Sequence, residues 1–356
     1  MDDIYIGNTA IGDGRKPYII AELSGNHGGS LERALEIIES AALTGADAVK
    51  FQTYRPDTIT IKSDRSEFMI KDPSSLWNGR TLYDLYEEAH TPWAWHEPMF
   101  KKARSLGMEV FSSPFDLTAV DFLESLDVAA YKIASLELTD VQLIKKVAET
   151  NKPIIMSTGG ASLGDIEKAV DVARKNGATQ IILLKCTSAY PAAPEDANLK
   201  SMPSLGTMFG CHFGLSDHTL GVAGSLASIA LGASVIEKHF IDDKSHDTVD
   251  SAFSLDQAEF TYLVEQAAIV WKSLGSAVIK SSASEATSVL HKRSIYVVND
   301  IHVGDEFTYE NLKSIRPGNG LAVEFFDDFI GNKAAVSIDA GTPLSWGHLG
   351  ILSHKQ

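Results

Sequence analysis

Between residues 17 and 275 short apolar runs alternate with amphipathic segments. There are eight such runs: 17–23, 48–54, 108–115, 130–135, 153–159, 180–188, 213–218 and 235–240. Runs of this length bounded by turn residues read as strands buried on both faces. The segments between them carry helical periodicity. In the first, Leu31, Ala34, Leu35, Ile38 and Ala42 fall on one face. Thr139 with Gln142, and Ser254 with Gln257, have the spacing of capping boxes. Gly107, Gly177 and Gly232 stand where helices should stop. Eight βα units over about 260 residues are the signature of an α/β chain folded as a (β/α)8 TIM barrel. An open doubly wound sheet is the rival. It should carry G-x-G-x-x-G after its first strand, whereas here that strand runs into SGNHGGS.

The chain has 356 residues, enough for the barrel and a small second domain. The expected organisation is a catalytic barrel over 1–275, a small polar linker over 276–292 and a β-rich module over 293–356. One connection is much longer than the rest. Residues 55–90 follow the second strand and mix charges with Trp77, Tyr83 and Tyr86, which suits a sugar-binding lid.

A formal charge of −16 repels polyphosphate, so nucleic acid is not an expected partner. Local basic clusters become informative against that background. No apolar run approaches the roughly 20 residues needed to cross a bilayer, so no membrane association is expected. The start, MDDIYIGNTAIGDGRK, lacks the pattern of a signal peptide, and Cys186 and Cys211 read as free thiols of a reducing cytoplasm.

Active residues of a barrel sit at the C-terminal ends of its strands. Those ends carry Glu22; Lys50 and Gln52; Ser112 and Ser113; Lys132 and Ser135; Ser157 and Thr158; Lys185, Thr187 and Ser188; Ser216, Asp217 and His218; and Glu237, Lys238 and His239. Polar residues at all eight ends are hard to explain by packing. His218 and His239 end consecutive strands and could share a borderline divalent cation such as Mn²⁺ or Zn²⁺. Lys50, Lys132, Lys185 and Lys238 allow two readings: a Schiff-base former, or plain cations holding a phosphate or carboxylate. The serines favour the second. Glu22 is expected as an isolated carboxylate that moves a proton, or as a lysine's partner. Asp250, just past the last strand, and His27, just past the first, are within reach. Arg316, in SIRPGNG, suits carboxylate recognition.

The segments IAELSGNHGGSLERAL, GADAVKFQTY, FSSPFD, YKIAS, STGG, KCTSAYP, GLSDHTLG, VIEKHF and RPGNG follow in this order. Together they resemble the sialic acid synthase family over nearly the whole chain, the C-terminal part resembling its antifreeze-like (SAF) domain. SLWNGRTLYDLYEEAHTPWAWH and VDSAFSL resemble the pseudaminic acid branch more than the N-acetylneuraminate or legionaminate branches. The resemblance implies a transferase that joins phosphoenolpyruvate to an open-chain acetamido sugar. C3 of phosphoenolpyruvate attacks the aldehyde, water adds at C2, and phosphate leaves by C–O cleavage. It implies catalytic roles for Glu22, His218 and His239, with a metal on the two histidines, Mn²⁺ first and Mg²⁺ or Co²⁺ as alternatives. Lys50, Ser113, Lys132, Ser135, Ser157 and Ser216 would hold phosphoenolpyruvate. Gln52, Tyr190, Glu237 and Asp250 would face the sugar, and Arg316 would reach it from the other subunit of a domain-swapped homodimer. A non-catalytic sugar-binding protein is the alternative from another class, and it leaves the polar strand ends without a use.

Overall fold

The computed structural model describes residues 1–73 and 75–349. His354 and the end of the expected C-terminal module lie outside the described residues. The chain divides into two compact units, Met1–Gly275 and Ser276–Gln356.

The first unit opens with a hairpin, β1 (Ile4–Ile6) and β2 (Thr9–Ile11). Then come β3 (Tyr18–Glu22), β4 (Ala48–Thr53), β5 (Glu109–Pro114), β6 (Tyr131–Ile133), β7 (Ile154–Ser157), β8 (Ile181–Cys186), β9 (His212–Asp217) and β10 (Val235–His239). These eight pair in parallel, neighbour to neighbour, and β10 closes on β3 with His239 opposite Glu22. Each lies within an expected run, except that β9 starts one residue earlier. The strands are apolar because helices cover the barrel outside while side chains fill it inside. Gly107, Gly177 and Gly232 all have positive φ, at +79°, +107° and +97°, and end the helices before them.

Local chemistry moved some boundaries. The helix Val141–Ala148 is capped by Asp140, whose carboxylate accepts from the Gln142 and Leu143 amides, and not by Thr139. The helix Gln257–Leu274 opens on a capping box of Asp256 with Glu259. Ser254, the expected cap, instead donates to the Asp250 carbonyl. In both cases the aspartate immediately before the first helical residue is the N-cap. The segment 55–90 is not one loop before one helix. It contains a short helix, Pro56–Ile59, a bridge between Met69 and Thr81, and a helix, Leu82–Ala89, capped by Thr81.

The hairpin was not expected, although IYI-GN-TAI carries a two-residue turn signal. It buries Ile4, Ile6 and Ile11, and the Tyr5 amide donates to Gln180 Oε1 at 3.0 Å. It thereby packs against the starts of β8 and β9, opposite the polar strand ends.

The second unit has its own core of Ile295, Val297, Ile301, Phe307, Leu312, Phe329, Ala334, Ile338 and Leu344. Its strands β11 (Ser294–Val297) and β12 (Leu312–Ile315) are antiparallel, and isolated bridges such as Ile301 to Ile338 supply further pairing. Before β11, an exposed stretch holds a 3-10 turn, Ala283–Glu285, followed by a short helix, Ala286–Val289. Among the described residues no helix is long and apolar enough to cross a membrane.

Candidate active site

Parallel register sets the inner floor of the site. Lys50 lies opposite Glu22, and Glu237 lies opposite Ser216. Lys50 Nζ is 2.6 Å from Glu22 and 3.3 Å from Glu237, and Lys132 Nζ is 3.4 Å from Glu237. Ser216 Oγ donates to Glu237 at 2.9 Å, and Gln52 donates to Glu22 at 2.9 Å. Two cations therefore face two carboxylates out of reach of water. The bonding is incomplete: Glu22 Oε2 and Glu237 Oε2 have ionic neighbours but no well-directed hydrogen bond. Ser113 Oγ and Ser157 Oγ are also buried without a partner. Such groups are costly to leave unpaired, and here they come from strands of one barrel. Burial pushes Lys50 down to about 7, against the pull of Glu237. Burial would raise Glu237, but Lys132 and Lys50 outweigh it and hold this carboxyl well below its usual range.

His218 and His239 stand beside this floor, their ring centroids 5.3 Å apart. His218 Nδ1 donates to the Thr187 carbonyl at 2.9 Å, which leaves the Nε2 lone pair free. His239 Nδ1 is buried without a partner, and burial drives its proton affinity well below the ordinary value. The Tyr190 ring lies 4.3 Å from that of His218 and contacts Phe253 and Trp77.

A cavity of about 400 Å³ is lined in part by His239. Gln52, Ser24, Ser135, Tyr190, His239 and Asp250 line its polar side. Ser24 Oγ donates to Asp250, and Gln52 donates to Ser24 at 3.3 Å. Burial raises the Asp250 carboxyl, with Ser24 opposing. Ser135 Oγ accepts from the Gly159 amide at 3.1 Å. A Cβ at Gly159 would lie 2.2 Å from Ser188 Oγ and 2.8 Å from Ser135 Oγ, so only glycine permits this contact.

Several expected strand-end residues point elsewhere. Lys238 Nζ bonds Asp217 at 2.9 Å and the Thr219 carbonyl at 2.6 Å, on the face that meets the helices. Lys185 bonds the Cys186 carbonyl and Thr187. Ser112 bonds Thr53, which in turn bonds His96, on the outer face of the strands. The cause is strand alternation: with Glu237 inward, Lys238 must face out. His27 bonds Thr91 and packs on Trp95, and burial lowers it to about 4, so it is structural. Glu22 is not isolated, since Lys50 and Gln52 hold it. Arg316 belongs to the second unit, where it is exposed and has no ion pair among the described residues.

Residues 37–279 match the family model described as NeuB family, and residues 292–350 match the SAF domain. The chain belongs to the NeuB family. It is similar to the pseudaminic acid synthase of Campylobacter jejuni serotype O:23/36, 44% identical over 93% of this chain and 96% of that protein. The N,N'-diacetyllegionaminic acid synthase of Campylobacter jejuni serotype O:2 is 38% identical over 90% and 96%. Among solved structures, N-acetylneuraminic acid synthetase of Leptospira borgpetersenii superposes with a TM-score of 0.72. It is 30% identical over 81% of this chain and 95% of that one.

Three features of this NeuB-family site escaped the sequence reading. Ser24 links Gln52 to Asp250 from a left-handed backbone position, φ +51°, rare outside glycine. Glu137 lines the cavity, its carboxyl raised by burial. Cys186 Sγ lies 3.8 Å from His218 Nδ1. Burial would raise this thiol, but the His218 contact brings it down to about 7. Of these, only Cys186 carried a signal, since alternation from Lys185 turns it inward.

Proposed function

We propose that this chain condenses phosphoenolpyruvate with 2,4-diacetamido-2,4,6-trideoxy-L-altrose to give pseudaminic acid and phosphate. The observation that carries the chemistry is the inner floor: two buried lysines and buried unpaired serines around carboxylates they do not fully bond. The identity to pseudaminic acid synthases over almost the full chain favours this sugar above its legionaminate and neuraminate counterparts.

The two imidazoles fit a divalent metal. One has its tautomer set by a carbonyl, and the other is neutral with an unpartnered buried nitrogen. No group of three or more metal-binding side chains gathers among the described residues, so water and sugar oxygens would complete the shell. When bound at His218 and His239, the ion would polarise the sugar aldehyde as a Lewis acid; Mn²⁺ is the first candidate. The remaining work falls to the chain. Lys50, Lys132, Ser113, Ser135, Ser157 and Ser216 hold the phosphate and carboxylate of phosphoenolpyruvate. Their anion replaces the incomplete bonding to Glu22 and Glu237, freeing these carboxylates to accept a proton. Glu22 serves the water that adds at C2, and Glu237, with Gln52, Tyr190 and Asp250, orients the sugar. Burial excludes bulk water, so the phosphate leaves only from the tetrahedral intermediate. Arg316 reaches the sugar from a partner subunit of a domain-swapped dimer, and the enzyme works in the cytoplasm.

The test is phosphate release with Mn²⁺, phosphoenolpyruvate and three sugars: the altrose derivative, its legionaminate-pathway isomer and N-acetylmannosamine. The altrose derivative should give the highest kcat/KM. A higher value with either other sugar reassigns the branch, and no release with any of them overturns the synthase reading.

A further inference from the structure

The cavity beside His239 has a lining of two chemically different parts. One part of its lining is polar: Gln52 donates to Ser24, and Ser24 donates to Asp250. The segment after the second barrel strand adds four aliphatic side chains to the lining, Ile59, Ile70, Leu82 and Leu85, beside the rings of Trp77 and Tyr86. Each buried hydroxyl of a sugar needs a partner, and these four side chains offer none.

This aliphatic part is built, not incidental. Ile70 is tied by its amide to the Arg80 carbonyl at 2.9 Å and by its carbonyl to the Gly79 amide at 2.8 Å. Ile59 ends a helical turn closed by the Thr60 amide on the Pro56 carbonyl at 3.0 Å. Leu82 and Leu85 sit on a helix whose first turn is capped by Thr81 Oγ1. Trp77, from the same segment, meets the Tyr190 ring at 5.9 Å, linking the segment to the histidine floor. The wall is therefore held in place by its own backbone bonds, in the same cavity that His239 lines.

We propose that Ile59, Ile70, Leu82 and Leu85 form the specificity wall of this enzyme. The wall receives the methyl-bearing, non-reacting end of an N-acylated 6-deoxy sugar and turns away its 6-hydroxy counterpart. The inference rests on the synthase reading above and adds the part of the sugar that is selected. An apolar pocket discriminates a methyl from a hydroxymethyl by about a hundredfold at most, since the added hydroxyl keeps some access to water. Discrimination between ring-hydroxyl stereoisomers is left to the polar side.

The test compares wild type with Ile59→Thr and Ile70→Thr, made singly. Both positions are half-buried in the segment after β4, outside the barrel core. Steady-state kcat/KM is measured with a 6-deoxy sugar, its 6-hydroxy analogue of the same configuration, and the legionaminate-pathway isomer. Wild type should prefer 6-deoxy to 6-hydroxy by about a hundredfold. Each threonine variant should shrink that ratio about tenfold, with KM for phosphoenolpyruvate and the preference between the two 6-deoxy isomers unchanged. A ratio that stays at its wild-type value, or equal losses on both sugars, overturns the wall. Calorimetric binding of the same sugars separates the two claims. If wild type releases no phosphate from any sugar, the synthase reading fails. The wall then stands only if 6-deoxy binding exceeds 6-hydroxy binding and the variants narrow that gap.

Discussion

Two buried lysine–carboxylate groups each take a member from β10 and differ in how they are bonded. On the outer face Lys238 meets Asp217, whose remaining capacity is used by Thr219 and Ser225, and Lys238 also bonds the Thr219 carbonyl. On the inner face Lys50 and Lys132 meet Glu22 and Glu237, yet one oxygen of each carboxylate lacks a directed bond, and two nearby serines have none. Both groups are buried, so burial alone does not tell structure from site. Completeness of bonding does. A saturated pair holds the barrel to its helices, whereas an unsaturated one keeps capacity for a substrate.

Breaking each side of this comparison should give different losses. The largest is removal of the divalent metal: exhaustive chelation should abolish phosphate release, and Mn²⁺ should restore it. Next, Lys132→Met should lower kcat/KM by about a thousandfold, as for loss of a preorganised donor to a developing charge, while circular dichroism stays native. Lys238→Met should do the reverse. It strands the buried Asp217 and should cost about 3–5 kcal/mol in denaturant unfolding, with KM for phosphoenolpyruvate unchanged in the folded enzyme. If Lys238→Met abolished substrate binding while stability held, the assignment of the two faces would be wrong.

Smaller effects sharpen the inner face. Burial lowers Lys50 to about 7, so the free enzyme loses this cation as pH rises through that value. A bound anion favours the charged form and raises the same pKa. Binding above pH 7 must then take up a proton, and KM for phosphoenolpyruvate should rise by up to about tenfold per pH unit. Lys50→Arg, which stays charged, should flatten that slope. The smallest expected effect is at the second unit. Arg316→Ala should raise KM for the sugar by about tenfold, with phosphoenolpyruvate binding intact, as expected when one charge-assisted contact of about 1.5 kcal/mol is lost.

The barrel was legible because each strand is a compact apolar run and glycines with positive φ stop the helices before them. The inner floor was legible for a related reason. In a barrel, polarity at strand ends has few explanations, and Lys50, Glu237, His218 and His239 follow from position alone. Direction along a strand is less legible than polarity. Lys238 and Lys185 looked like site cations, yet one residue along a strand reverses the face, and their inward neighbours are Glu237 and Cys186. Ser24 and Glu137 were hidden because they lie beyond strand ends, where backbone conformation decides their aim. The aliphatic wall was hidden because Ile59 and Ile70 are separated by irregular chain and come together only through the fold. A lid could be expected from the length of 55–90, but its apolar inner surface could not.

The most direct test of the inner face is calorimetric titration with phosphoenolpyruvate and Mn²⁺, comparing wild type, Lys132→Met and Lys238→Met. Wild type and Lys238→Met should bind with the same affinity, and Lys132→Met should lose at least about a hundredfold, as expected for leaving a buried charge unpaired. Binding by Lys132→Met that matches wild type would contradict the account.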